Sequence, residues 1–215
     1  AVAFHCSLFN IGGEGQAYVG GLGVAIVCLA FDSVFPWWIN LPLATIMAAL
    51  TGALWALIPA WLQATRGSHV VITTIMFNFI AASLMVYLLV GPLKPVGSMA
   101  PETRTFAEGA QLPRLDWMLE MFGLTIRSAP LNITFLLALA AAFGVWVLIW
   151  RTRLGYEIRT MGFSPTAARY AGINQTKVIV IAMMVSGAMA GMMALNPVMG
   201  DQTRLQMNCV AGAGF

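Results

Sequence analysis

The sequence predicts an all-α membrane protein, a polytopic bundle of helices, and three observations predict it. Hydrophobic residues make up 60% of the 215 residues and charged residues only 9%, against roughly a quarter charged in an ordinary soluble domain. So few charges cannot cover a water-facing surface, and the missing solvent is lipid. Five apolar runs also reach the roughly 20 residues that cross a hydrocarbon core. Finally, the charges collect between the runs: Asp32, close to one end, is the one charged side chain within them.

The elements follow in chain order. Asn10-Ile11-Gly12-Gly13-Glu14-Gly15-Gln16 opens the first run, and with Gly20, Gly21 and Gly23 it places six glycines in twelve residues. Each glycine costs about 1 kcal/mol relative to alanine in a helix, so a break is expected here. A broken helix at membrane depth must line a cavity or be covered by protein. Its freed backbone groups, with Asn10, Glu14 and Gln16, can then meet a polar solute. The plainer reading is a loop before a Gly-rich helix.

The first expected span is Ala17–Phe35. Pro36-Trp37-Trp38 follows, carrying the aromatic residues that favour a headgroup boundary. The second span is Leu41–Leu62, and Gln63–His69 connects it to the third, Val70–Gly91. Within that third span Thr74 and Asn78 lie four residues apart on one face. An asparagine in hydrocarbon needs a polar partner, found either across a helix interface or in a wet pathway. His69 reads as a solvated loop residue. A long outer loop, residues 92–131, leads to the fourth span, Asn132–Trp150, and residues 151–177 lead to the fifth, Val178–Asn196.

Arg66, Arg151, Arg153, Arg159, Arg169 and Lys177 all fall in the connections 63–69 and 151–177. Basic residues beside span ends favour the cytoplasm, so these connections are expected inside, with 36–40 and 92–131 outside. Small residues recur four apart at Gly187/Gly191, Ala17/Gly21, Ala44/Ala48 and Gly52/Ala56, a spacing that lets helix backbones approach closely.

Residues 151–177 hold a compact signal. Ser164 reads as an N-cap and Pro165 as the first helical residue, while Gly172 suits the left-handed position that ends a helix. The short helix between them carries Ala167, Ala168 and Arg169. In a basic cytoplasmic connection it reads as a docking element, the alternative being a helix lying on lipid.

Several chemistries are unsupported. No G-x-x-x-x-G-K-[ST] is present to cradle nucleotide phosphates. Two histidines, His5 and His69, and three scattered cysteines, Cys6, Cys28 and Cys209, offer no metal spacing, so no metal or cofactor is expected. The net charge of +3 belongs to membrane orientation, and no nucleic-acid partner is expected. Ser186-Gly187 weakly suggests an intramembrane hydrolase, but the spans offer no histidine base. A secondary carrier is a further alternative, although intramembrane carboxylates for a proton relay are nearly lacking. The chain has no basic leader region and ends in a Gly-rich run, which reads as an internal fragment.

These residues resemble the permeases of bacterial ABC importers in the ribose, branched-chain amino acid and nucleoside group. Phe9–Gln16 looks like the family's N-I-G-x-E-G-Q block, and Arg66–Asn78 like its R-G-x-x-E-V-I-x-T-I-M-x-N block, with Val70 where the family usually has an acid. Residues Arg153–Gly162 and Ala167–Ile173 are similar to the family's ATPase-facing loop. Gly91-Pro92-Leu93-Lys94 and Leu112-Pro113-Arg114-Leu115 resemble the outer loop of the nucleoside and simple-sugar branch.

The resemblance implies a single transmembrane permease domain in a bacterial cytoplasmic (inner) membrane, with no bond chemistry of its own. It implies two permease chains, identical or not, a separate ATP-binding cassette ATPase subunit and an extracytoplasmic solute-binding protein. A small polar solute, nucleoside or simple sugar, would then move inward by alternating access. Asn10, Glu14, Gln16, Thr74 and Asn78 would face its path. Ser164, Pro165, Ala167, Ala168, Arg169 and Gly172 would couple to the ATPase.

Overall fold

A computed structural model describes residues 2–113 and 132–214. Arg114 and Leu115 of the outer-loop match, with the rest of 114–131, lie outside the described residues. The described chain is helical: α1 (Val2–His5), α2 (Gly13–Phe31), α3 (Trp37–Arg66), α4 (Val70–Val90), α5 (Thr134–Arg151), α6 (Arg153–Phe163), α7 (Pro165–Tyr170) and α8 (Gln175–Met192). Beyond α8 a π-helical turn, Asn196–Asp201, prolongs the same rod. Among the described residues five helices are long and apolar enough to cross a membrane.

The centre of the bundle is the packing of α2, α3 and α8. Along α3 the buried residues are Asn40, Ala44, Ala48, Gly52, Ala56, Pro59 and Ala60, nearly every fourth residue, which is one face of a helix. That face is almost without side chains. A Cβ on Gly191 would strike the Ala48 carbonyl, and one on Gly52 would strike the Gly187 carbonyl. The expected small-residue spacing therefore operates: with lipid competing for apolar surface, close backbone approach supplies the contact.

Two apolar clusters flank this crossing. One gathers Val24, Cys28, Met85, Leu89, Phe106 and Leu195, and the other Val2, Ala60, Ile158, Ala168 and Met183. Around them the outward faces of the spans meet no partner among the described residues, as Ile46, Leu54, Met76, Phe79 and Leu139 show. Such faces suit lipid. Helix α5 stands apart: it joins the rest chiefly through α6, and Ile149 is its one buried residue.

The spans differ in detail from the expected limits. Helix α2 begins at Gly13 and ends at Phe31 rather than running Ala17–Phe35, because polar side chains cap its glycine-rich start and a turn intervenes before Pro36. Helix α3 exceeds Leu41–Leu62 at both ends and stops at Gly67, whose φ is +65°. Sequence reading missed α1 and α6. Helix α6 hides Gly155, Ile158 and Met161 on one face beneath an otherwise polar surface, so hydropathy alone does not reveal it.

The segment between α4 and residue 114 folds back as a strap. Arg104 makes a two-pronged ion pair with Asp32 at 2.6 and 3.0 Å, and the Ala107 amide donates to the same carboxylate at 2.9 Å. Asp32 follows the last residue of α2 and is buried, whereas Arg104 is about half exposed. The Arg104 hydrogen bond holds the Asp32 carboxyl below the usual aspartate range, against the opposing effect of burial. Further along, Glu102 accepts from Arg204 at 2.7 Å and from Gln206 at 3.1 Å.

Candidate functional site

The Gly-rich run is not broken as expected: α2 is continuous from Gly13 to Phe31, and the break is confined to residues 6–12 between α1 and α2, where side chains replace missing backbone partners. The first amides of a helix have no intrahelical acceptor, and here two asparagines supply them. Asn10 Oδ1 accepts from the Gly12 amide at 2.9 Å, and Asn78 Oδ1 accepts from the Gly15 amide at 2.9 Å. Asn78 Nδ2 in turn donates to the Ile11 carbonyl at 2.9 Å. Asn78 thus binds both sides of the break from α4. One turn earlier, Thr74 is fully buried and donates to the Val70 carbonyl at 2.8 Å, leaving its Cβ close to Gly12.

A second set of contacts runs sideways. Asn10 Nδ2 donates to Gln16 Oε1 at 3.0 Å and to Ser186 Oγ of α8 at 3.1 Å. Ser186 therefore has an amide beside it, not an imidazole. Glu14 turns the other way. Its two oxygens accept from the amides of Gly212 and Gly214 at 3.1 and 2.9 Å, and its side chain is buried. The five residues expected along a solute path thus divide. Asn10, Gln16, Thr74 and Asn78 gather at the break, while Glu14 fastens the segment Ala211–Gly214.

Between α5 and α8 lies a cleft of about 860 Å³. Ser186, the partner of Asn10, lines one end of it. At the other end Asn132 Nδ2 donates to Asn196 Oδ1 at 2.6 Å, and the Thr134 hydroxyl donates to Asn132 Oδ1. Alanines of α5 and Met189, Met192 and Met193 of the α8 rod lie between. Sequence reading treated Asn132 and Asn196 only as span termini. Their one signal was an asparagine closing an apolar run at each of two neighbouring ends.

The α6–α7 corner agrees closely with its local chemistry. Thr152 caps α6 by accepting from the Gly155 amide at 3.1 Å, and Ser164 caps α7 by accepting from the Ala167 amide at 3.2 Å. At the far end the Gly172 amide donates to the Arg169 carbonyl and the Ile173 amide to the Ala168 carbonyl, both at 3.0 Å. With Gly172 at φ +75°, this is a Schellman ending. Ala168 is fully buried beneath the corner, so it anchors α7 to its own chain and does not belong to an outward docking face. The outward residues are Pro165, Ala167, Arg169 and Tyr170, beside Phe163; the last two aromatics are 94% and 90% exposed.

The family model described as a branched-chain amino acid transport system permease component matches residues 1–203. The chain belongs to this permease family. It is 34% identical over 97% of its length to a glucose ABC transporter permease protein of Haloferax volcanii, covering 54% of that protein. It is 38% identical over 89% of its length to a guanosine ABC transporter permease protein of Bacillus subtilis, covering 52%. A nucleoside ABC transporter permease protein of Lactococcus lactis is 32% identical over 89% of this chain and 52% of its own. The chain thus spans about half the length of the curated relatives it matches. No solved structure matches it. Family membership and the five apolar helices make this a multi-pass membrane protein.

Proposed function

We propose that this chain supplies part of the permease of an ABC importer in the cytoplasmic membrane, carrying a small polar solute, a nucleoside or simple sugar, inward. A separate ATPase subunit drives it, a second permease chain completes the path, and an extracytoplasmic binding protein delivers the solute. The solute assignment rests on the relatives, which are permease proteins of glucose, guanosine and nucleoside ABC transporters. Asn10, Gln16, Thr74 and Asn78 hold the break rigid beside the path, and Glu14 fixes the segment behind it.

The observation that carries the coupling is the α6–α7 corner. A helix of six residues is too short to persist alone in water, yet this one is capped at both ends and anchored by Ala168. Two bare aromatics and Arg169 then project outward without an apolar partner among the described residues. This is a surface built to be held and pushed, which rigid-body alternating access requires. Ser164, Pro165 and Gly172 fix its shape, while Ala167 lets a partner come close and Arg169 pairs with it.

The test is cross-linking in the assembled transporter. A cysteine replacing Tyr170, in a background without Cys6, Cys28 and Cys209, should form a cross-link to the ATPase subunit that changes yield with nucleotide. Labelling by lipid-phase reagents instead would place α7 on the membrane and remove the coupling argument.

A further inference from the structure

The cleft between α5 and α8 is not explained by helix packing, since α5 barely touches α8 while its end residues bond across. Its volume of about 860 Å³ lies within the roughly 300–1,000 Å³ typical of small-molecule sites. Its chemistry is specific. No ionisable side chain is among its described lining residues, and its polar groups sit at the two ends. Asn196 and Ser186 are ten residues apart on one helical rod, about 15 Å at the usual rise.

Resting on the permease reading, we propose that this cleft is a binding station for an uncharged, hydroxyl- or amide-bearing solute, with Asn132 and Asn196 as its selecting residues. An amide both donates and accepts. Empty, the pair satisfies itself through the 2.6 Å bond; loaded, it exchanges that bond for sugar hydroxyls or a base edge. Asn196 opens the π-helical turn, a local widening frequent at functional positions. Gly200 lies so close to the Asn132 amide that a Cβ there would strike it, which holds Asn132 toward its partner. The methionine wall adapts to an apolar ring face.

The same lining disfavours amino acids, although the matching family model is described by them. A zwitterion would bring a carboxylate and an ammonium against described lining residues that carry no counter-charge, and an unpaired ion in such surroundings is strongly disfavoured.

The experiment uses the complete transporter, with its ATPase and binding protein, in proteoliposomes. Labelled nucleosides, hexoses and leucine are the probes. The unaltered transporter should carry a neutral probe and exclude leucine. Asn196→Leu should raise KM for that probe about tenfold or more, the effect of one lost hydrogen bond in a dry site, while the permease still co-purifies with its ATPase subunit. Met189→Trp, which narrows the cleft two helical turns away from Asn196, should lower the maximal rate. If both variants transport normally, the cleft is no station, while ATP-driven uptake by the same vesicles leaves the permease reading standing. Uptake of leucine in preference to every neutral probe also overturns the proposal. Absence of ATP-driven uptake of any probe overturns the proposal and the permease reading together.

Discussion

Glu14 joins residues 198 and 200 positions away by accepting from the amides of Gly212 and Gly214. Gly13 and Gly214 pack so closely there that neither has room for a Cβ. Removing the carboxylate takes the acceptors from two part-buried amides, at about 1 kcal/mol each. Glu14→Ala should therefore destabilise the permease more than Glu14→Gln, which keeps one accepting oxygen, as measured by thermal unfolding in detergent. Equal stability of the two variants would show that the clamp carries little. At Asp32 the sign is fixed by its lowered value. The contribution of the Arg104 pair is complete above the ordinary aspartate pKa of about 3.9 and is lost as pH falls through the depressed value. Arg104→Gln should cost about 1–2 kcal/mol at neutral pH, discounted because the guanidinium is half exposed. That difference in unfolding should shrink in acid below about pH 4. A gap that widens in acid would contradict the assignment. Neither partnership was legible in the sequence, because nothing local at Glu14 or Asp32 points to a residue far along the chain.

Among the elements, α7 was the most legible, since its Ser-Pro start and Gly172 end depend only on neighbouring backbone. Which face it turns outward was not legible. That depends on the packing of Ala168 against its own chain, and it changes the choice of variants. Ala168→Trp disrupts the corner itself, whereas Tyr170→Ala tests contact with a partner. Gly172→Val should destabilise the corner by about 1–2 kcal/mol, because a β-branched residue resists positive φ. Proteolysis between α7 and α8 should report the loosened turn. Helix α6 was hidden by its arginines: Arg159 lies over Trp150 at 4.6 Å, so a charge that argues against burial sits on an aromatic face. The central crossing was readable from small-residue spacing. Gly191→Leu should separate α3 from α8 at about 1–3 kcal/mol or more, read as loss of folded permease in detergent. Unchanged folding would mean the crossing is looser than its geometry.

For the whole molecule, the number of spans followed from composition, while α5 standing away from α8 did not. Hydropathy measures entry into lipid and is silent on which helices touch. The expected topology places residue 98 and residue 164 on opposite sides, and single cysteines there should label from opposite faces of sealed vesicles. Labelling of both from one face would contradict the helix alternation. The central claim, a permease segment driven by a separate ATPase, is tested most directly by solute uptake into proteoliposomes holding the complete transporter. Uptake should require ATP and cease when the ATPase subunit is left out, whatever ion gradient is imposed. Uptake that continues without that subunit on a proton or sodium gradient would contradict it.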